Sequence, residues 1–231
     1  MQRHAIKHDQ RQYGRQTKTK VNKIMIKNLI FDLGGVIMTI DHDEALRRFK
    51  KLGLADAERH LDPYTQTGIF GDLEEGKITA EDFRTELGKL VGCELSFEEC
   101  KYAWLGYRKD VPKRNLVTLK DLRDRGYRLI LLSNTNPFMM SWALTPDFDG
   151  GKATLSDYFD SLYLSYKLGV MKPNPEFFKT VIETEGIVPE ESVFIDDGPR
   201  NVKAASGLGL NTLCPENGID WKADLYAMLG L

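Results

Sequence analysis

Four apolar runs of strand length, each ending in polar residues, restrict most strongly how this chain can fold. They are "NLIFDL" (28–33), "YRLILLSNT" (127–135), "SLYLSY" (161–166) and "SVFIDD" (192–197), with a shorter fifth, "NTLC" (211–214). Runs that stay apolar at consecutive positions belong to strands buried on both faces. Helical stretches lie between them. "KRNLVTLKDLRDRG" sets Leu116, Leu119 and Leu122 on one side and stops at Gly126. "NPEFFKTVIETEG" carries Pro175 in its first turn and stops at Gly186, and "PRNVKAASGLG" is a short helix ending in glycines. Strands alternating with such helices predict an α/β fold with three layers around a doubly wound, Rossmann-like parallel sheet.

Residues 42–111 interrupt that rhythm with helical signals and little strand. Asp41 with Glu44, Thr79 with Asp82, and Ser96 with Glu99 each have capping-box spacing. "EALRRFKKLG" places Ala45, Leu46, Phe49 and Leu52 along one helical side. The segment reads as an all-helical insertion between two parts of a core, 26–41 and 112–231. Inserted just after the first strand, it would hang over the carboxyl edge of the sheet. Within it, "DLEEGKITAEDF" resembles part of a calcium loop, but Gly71 and Leu73 stand where its first ligands belong. It reads as a turn leading into a helix.

The 231 residues are 42% hydrophobic and 29% charged, with no apolar run of membrane-spanning length. With no export signal and three unpaired-looking cysteines (Cys93, Cys100, Cys214), the expectation is a reduced, cytoplasmic protein. Residues 1–27 hold eight Lys/Arg against one acid, Asp9. Residues 1–25 read as a flexible basic extension, with Met25 a possible true start, rather than as a nucleic-acid arm. A G-x-G-x-x-G turn and a G-x-x-x-x-G-K-[ST] loop are both missing, which excludes the common dinucleotide and nucleotide-driven classes. His4, His8, His42 and His60 all lie in the tail or the insertion, away from a core catalytic or zinc site.

In an open parallel sheet, ligands sit beyond the carboxyl ends of the strands. The strands deliver Asp32, then Ser133 and Asn134, then Lys172, then Asp196 with Asp197 to that edge. Taken singly, an Asp or a Ser-Asn pair after a strand is ordinary turn chemistry, and a lysine is ordinarily solvated. Two adjacent carboxylates closing a buried strand repel each other and need a cation or donors. Their joint arrival at successive strand ends marks one site.

These stretches resemble the four motifs of the haloacid dehalogenase superfamily. "IFDLGGVI" is similar to the first, "LLSNTN" to the second, "GVMKPNPEFF" to the third and "FIDDGPRNVKAA" to the fourth, in order, across residues 26–231. Segment 42–111 is similar to the family's small helical cap. The phosphatase branch, including sugar-1-phosphatases and the N-terminal phosphatase domain of epoxide hydrolase, is the nearest likeness. The resemblance implies a magnesium-dependent hydrolase of small phosphomonoesters, acting on a phosphorylated metabolite and not on nucleic acid or a membrane. It implies Asp32 as nucleophile forming an aspartyl-phosphate. Mg2+ would be held by Asp32, the Gly34 carbonyl and Asp197, with Asp196 in direct or water-mediated contact. Ser133 and amides near Asn134 would bind the phosphoryl oxygens, and Lys172 would neutralise charge. Asn201 would orient the loop. Oligomeric state is not legible.

One departure stands out. Where most phosphatases of the family carry a second aspartate, two residues past the nucleophile, this chain has Gly34. The proton carrier is gone, and such a group typically contributes about 10²- to 10⁴-fold in rate. Three consequences are open. The substrate has a good leaving group, as a sugar 1-phosphate does; the cap supplies an acid, with Asp41, His42 and Asp43 as candidates; or the chain is a weak or inactive member that binds a ligand or partner. Dehalogenation is a remote fourth, because the acid pair would face an anionic substrate. Tyr64, Phe70 and Trp104 are the cap aromatics that could face a substrate.

Overall fold

In the computed structural model, which describes residues 25–61 and 66–231, the five apolar runs form one parallel sheet. The strands are β1 (Asn28–Phe31), β2 (Thr39–Ile40), β3 (Arg108–Asp110), β4 (Arg128–Ser133), β5 (Ser161–Leu164), β6 (Ser192–Ile195) and β7 (Asn211–Leu213). The helices are α1 (His42–Lys51), α2 (Ile69–Glu74), α3 (Ala80–Val91), α4 (Phe97–Trp104), α5 (Lys113–Asp124), α6 (Pro137–Ala143), α7 (Ser165–Leu168), α8 (Pro175–Glu185), α9 (Pro199–Ser206) and α10 (Lys222–Leu229). The main sheet has the order β5-β4-β1-β6-β7.

Side-chain alternation along the strands makes the three layers. Leu29, Phe31, Leu129, Leu131, Val193 and Ile195 join one core, shared with α5, α6, α10 and the insertion. Ile30, Ile130, Leu132 and Phe194 face the other way, onto Phe177, Phe178 and Val181 of α8 and Ala205 of α9. Each such buried side chain stabilises the fold by about 1.5–3 kcal/mol relative to exposure. Register then sets up the site. Phe31 stands level with Leu131 on one side and Ile195 on the other, so Asp32 and Asp196 leave neighbouring strands at the same height.

The short strands β2 and β3 pair antiparallel, and α1 to α4 lie between them. Phe49, Phe70, Phe83 and Trp104 pack there with ring centroids 5.1 to 5.8 Å apart. Phe138 of α6 meets Phe83 and Phe97 at 5.6 and 4.8 Å, so this aromatic core runs on into the sheet layer. Thr79–Asp82 and Ser96–Glu99 form complete capping boxes. The third pair does not. Asp41 caps α1 by accepting from the Glu44 amide at 2.9 Å, but the Glu44 carboxylate turns to Arg47 and Arg48 instead. The run 161–166 also ends early as a strand. Buried Ser165 breaks away to exchange hydrogen bonds with the Thr135 backbone and starts α7.

No helix among the described residues is long and apolar enough to cross a membrane. Cys100 is buried and Cys93 and Cys214 are exposed, all three as free thiols. The basic extension, apart from Met25, and Tyr64 lie outside the described residues.

Candidate active site

β1 stops after Phe31 because the next residue, Asp32, turns its carboxylate to local donors. Its amide still reaches back to the Ile195 carbonyl at 2.9 Å, while the Leu33 amide donates to Oδ1 at 2.7 Å. Lys172 Nζ donates to Asp32 Oδ1 at 2.9 Å, to Asp196 Oδ2 at 2.6 Å and to the Leu132 carbonyl at 2.9 Å. Those three acceptors use all three ammonium protons. Burial alone would lower this lysine's pKa, but the Asp196 and Asp32 carboxylates outweigh it and hold the pKa above its ordinary value. Its loop is fixed by a reciprocal pair: Asn134 Nδ2 donates to the Lys172 carbonyl at 2.9 Å, and the Lys172 amide donates to Asn134 Oδ1 at 2.8 Å. The Lys172–Pro173 peptide is cis.

The two adjacent aspartates have separate surroundings. Asp196 is fully buried and saturated, accepting from Lys172, from the Gly198 amide at 2.7 Å and from Asn201 Nδ2 at 3.0 and 3.2 Å. Asp197 is half-buried and faces the cleft. Burial, then the neighbouring Asp32 and Asp196 carboxylates, push its pKa up to about 7. Asp32 is lifted to about 6, by burial against the opposing pull of Lys172. Ligand oxygens of Asp32, Asp196 and Asp197 all lie within 4.8 Å of one another. Three carboxylates with one ammonium leave an excess of negative charge, and an all-oxygen cluster of this kind fits a hard divalent cation. Gly35 makes the approach possible. It has φ +76°, and a Cβ there would sit 2.1 Å from Asp197 Oδ2.

Asp32, Gly34, Ser133, Asn134, Lys172 and Asp197 line one cavity of about 110 Å³. Asp196 lies behind it, reached through Lys172 and Asn201. Ser133 is 1% exposed and its Oγ donates weakly to the Asn134 carbonyl at 3.3 Å. The sequence did not single out Glu74, Gln66, Tyr107, Thr135, Met139 or Ile40, which also line the cavity. Glu74 was detectable in principle: it follows Phe70 by four residues on the buried stripe of α2, where an acid is out of place.

The acids expected at the hinge do not reach the cavity. Asp41 is spent on capping α1, His42 Nε2 lies 3.2 Å from the Leu61 carbonyl, and the Asp43 side chain is fully exposed. Proximity in sequence to Asp32 did not become a place on the cavity wall, and α1 packs against α4 instead. Phe70 is buried inside the helical insertion, whereas Trp104 reaches the cavity wall.

A family model for haloacid dehalogenase-like hydrolases matches residues 26–209. The chain belongs to the haloacid dehalogenase-like hydrolases. It is 52% identical over 205 residues to a D-ribitol-5-phosphate phosphatase of Bacteroides thetaiotaomicron, covering 89% of this chain and 99% of the relative. A predicted HAD-like family hydrolase from Porphyromonas gingivalis superposes with a TM-score of 0.85 at 43% identity, covering 89% and 98% of the two chains. An HAD family enzyme from Bacteroides thetaiotaomicron, crystallised with magnesium and inorganic phosphate, superposes with a TM-score of 0.78 at 38% identity, covering 86% and 98%.

Proposed function

We propose that this hydrolase is a magnesium-dependent phosphatase of small phosphorylated polyols or sugars, with the ester on a primary carbon. The observation that carries the reading is the Asp32–Lys172–Asp196 chain, at 2.9 and 2.6 Å, facing with Asp197 onto one cavity. Asp32 is the one carboxylate of the three that both lines the cavity and is steered by Lys172, which suits a nucleophile toward phosphorus. Asp32, Asp197 and the Gly34 carbonyl would hold Mg2+, whose chemistry is to neutralise charge on the transferring phosphoryl group. Asp196, with both oxygens engaged, positions Lys172 and the loop rather than meeting the metal directly. Ser133 and the Asn134 amide would bind phosphoryl oxygens, and the Asn134 side chain keeps Lys172 in place.

Substrate size and chemistry have separate supports. Residues 42–111 act as a cap, and the cavity beneath them suits a small metabolite better than a macromolecule. Trp104 forms part of that cavity's wall. The 52% identical relative acts on D-ribitol 5-phosphate. That ester is at a primary alcohol, so the sugar 1-phosphate reading, which answered the missing acid with an easy leaving group, is the less favoured alternative. A panel of polyol and sugar phosphates, assayed for phosphate release with and without Mg2+, tests the proposal. Activity should concentrate on primary esters of about five carbons and vanish with EDTA; higher activity on sugar 1-phosphates than on the matching primary esters would reject the substrate class.

A further inference from the structure

A primary alcohol leaves poorly as an alkoxide, so a phosphatase for such esters needs a proton donor at the leaving oxygen. Position 34 cannot supply one. It is glycine, and the space a side chain would enter is occupied by Ile40, whose Cδ1 lies 2.8 Å from where a Cβ would stand. Of the ionisable side chains on the cavity wall, Asp32, Lys172 and Asp197 already have roles. Glu74 and Tyr107 remain, and the Tyr107 hydroxyl accepts from Gln66 Nε2 at 3.1 Å.

Glu74 is built into its place. It ends α2, and the following turn passes so close to the core that a Cβ on Gly76 (φ +73°) would sit 2.2 Å from the Tyr166 carbonyl. The turn therefore seats α2 against α7. On the core side, Asn136 Oδ1 is committed to the amides of Phe138 and Met139 at 3.1 Å, which aims its Nδ2 at Glu74 Oε1, 3.5 Å away. The charged groups facing Glu74 are Asp32 and Lys172 from the core, with Glu75 and Arg200 on the wall of the adjoining hollow.

We infer that Glu74, carried by the helical insertion, is the proton donor and acceptor that replaces the acid missing at position 34. This rests on the phosphatase reading above. In the first step the Asp32 oxygen–phosphorus bond forms as the bond from phosphorus to the leaving oxygen breaks. The Glu74 proton passes to that oxygen, giving a neutral alcohol and a Glu74 carboxylate. In the second step water attacks phosphorus, the Glu74 carboxylate takes its proton, and the Asp32–phosphorus bond breaks to release inorganic phosphate. Both side chains return to their starting states. Burial, which lifts the Glu74 carboxyl to about 7, leaves it a proton to give at neutral pH.

The test compares two esters of similar size that carry no spare hydroxyl, benzyl phosphate and p-nitrophenyl phosphate, in wild type and Glu74→Gln with Mg2+ present. For kcat/KM, which reports aspartyl-phosphate formation, E74Q should lose about 10²-fold or more on the benzyl ester, whose leaving group needs a proton. It should stay within about 3-fold on the nitrophenyl ester. Glu74→Asp, which keeps a carboxyl on a shorter arm, should lose less than Gln on the benzyl ester. Equal losses on both esters, or no loss on either, would overturn the proposal. With ribitol 5-phosphate assayed alongside, so would a loss confined to it, which would make Glu74 a hydroxyl-binding residue. If wild type releases no phosphate from either ester, the phosphatase reading itself fails and this inference with it.

Discussion

Replacing Glu74 by Gln should stabilise the metal-free protein, and only at the alkaline end of the range. Burial raises the Glu74 carboxyl from its ordinary 4.5 to about 7, so the folded state holds that proton more tightly than the unfolded chain. Between those values the unfolded chain ionises first, and fold stability falls as pH rises. At 1.36 kcal/mol per pH unit, the full cost above pH 7 has a ceiling of about 3 kcal/mol. Gln has the same shape and no charge to bury. For a chain of this size 1 kcal/mol moves Tm by about 2–4 °C. E74Q should therefore melt above wild type at pH 8, by at most about 6–12 °C, and within about 2 °C of it at pH 4.5, in EDTA by differential scanning fluorimetry. Asp32 titrates in both proteins, and the repulsion between its carboxylate and that of Glu74 is part of what E74Q removes. An offset that is the same at both pH values would refute the reasoning, since it would then come from packing and not from ionisation.

Lys172→Met should be costly, because it strands two buried carboxylates. Breaking such a pair costs about 3–5 kcal/mol, and the loss should show as a lower urea midpoint that recovers partly as the pH is brought down toward 5. Asp197→Asn should weaken Mg2+ binding by at least about 10-fold in isothermal titration calorimetry, while raising the metal-free Tm at pH 8 by relieving repulsion among the three acids. Gly35→Ala and Gly92→Ala both place a side chain at positive φ, a strain of about 1–2 kcal/mol. A Cβ at 92 meets open space and one at 35 meets the Asp197 carboxylate. Their melting points should fall comparably or somewhat further for G35A, and G35A alone should lose Mg2+ affinity.

The strand-end groups were legible in the sequence because of how a parallel sheet is built. Each strand of "NLIF", "RLILLS" and "SVFI" points the same way, so whatever follows it must arrive at one edge, and Asp32, Ser133 and the acid pair do. Two of the helices between β2 and β3 were legible too, through Thr79 and Ser96 as caps. What the residues next to each other could not reveal was the difference between Asp196 and Asp197. Adjacent in sequence, they alternate in direction, so one is buried under Lys172 and Asn201 and the other faces the cavity. Glu74 was harder still. In "DLEEG" two acids end a helix whose exposed face should be acidic, and only the seating of Gly76 on Tyr166 brings Glu74 to the cavity wall. The hinge acids misled for the complementary reason: Asp41 is near Asp32 along the chain, but its carboxylate serves the first turn of α1.

Trapping the covalent intermediate addresses the central claim most directly. Wild type mixed with a polyol phosphate and Mg2+, quenched in acid within the first turnover and digested, should yield a peptide phosphorylated at Asp32 by mass spectrometry. The same peptide should be unmodified when EDTA replaces Mg2+ and in Asp32→Asn, which should release no phosphate. Steady turnover without phosphate on Asp32, or undiminished turnover in Asp32→Asn, would contradict the account.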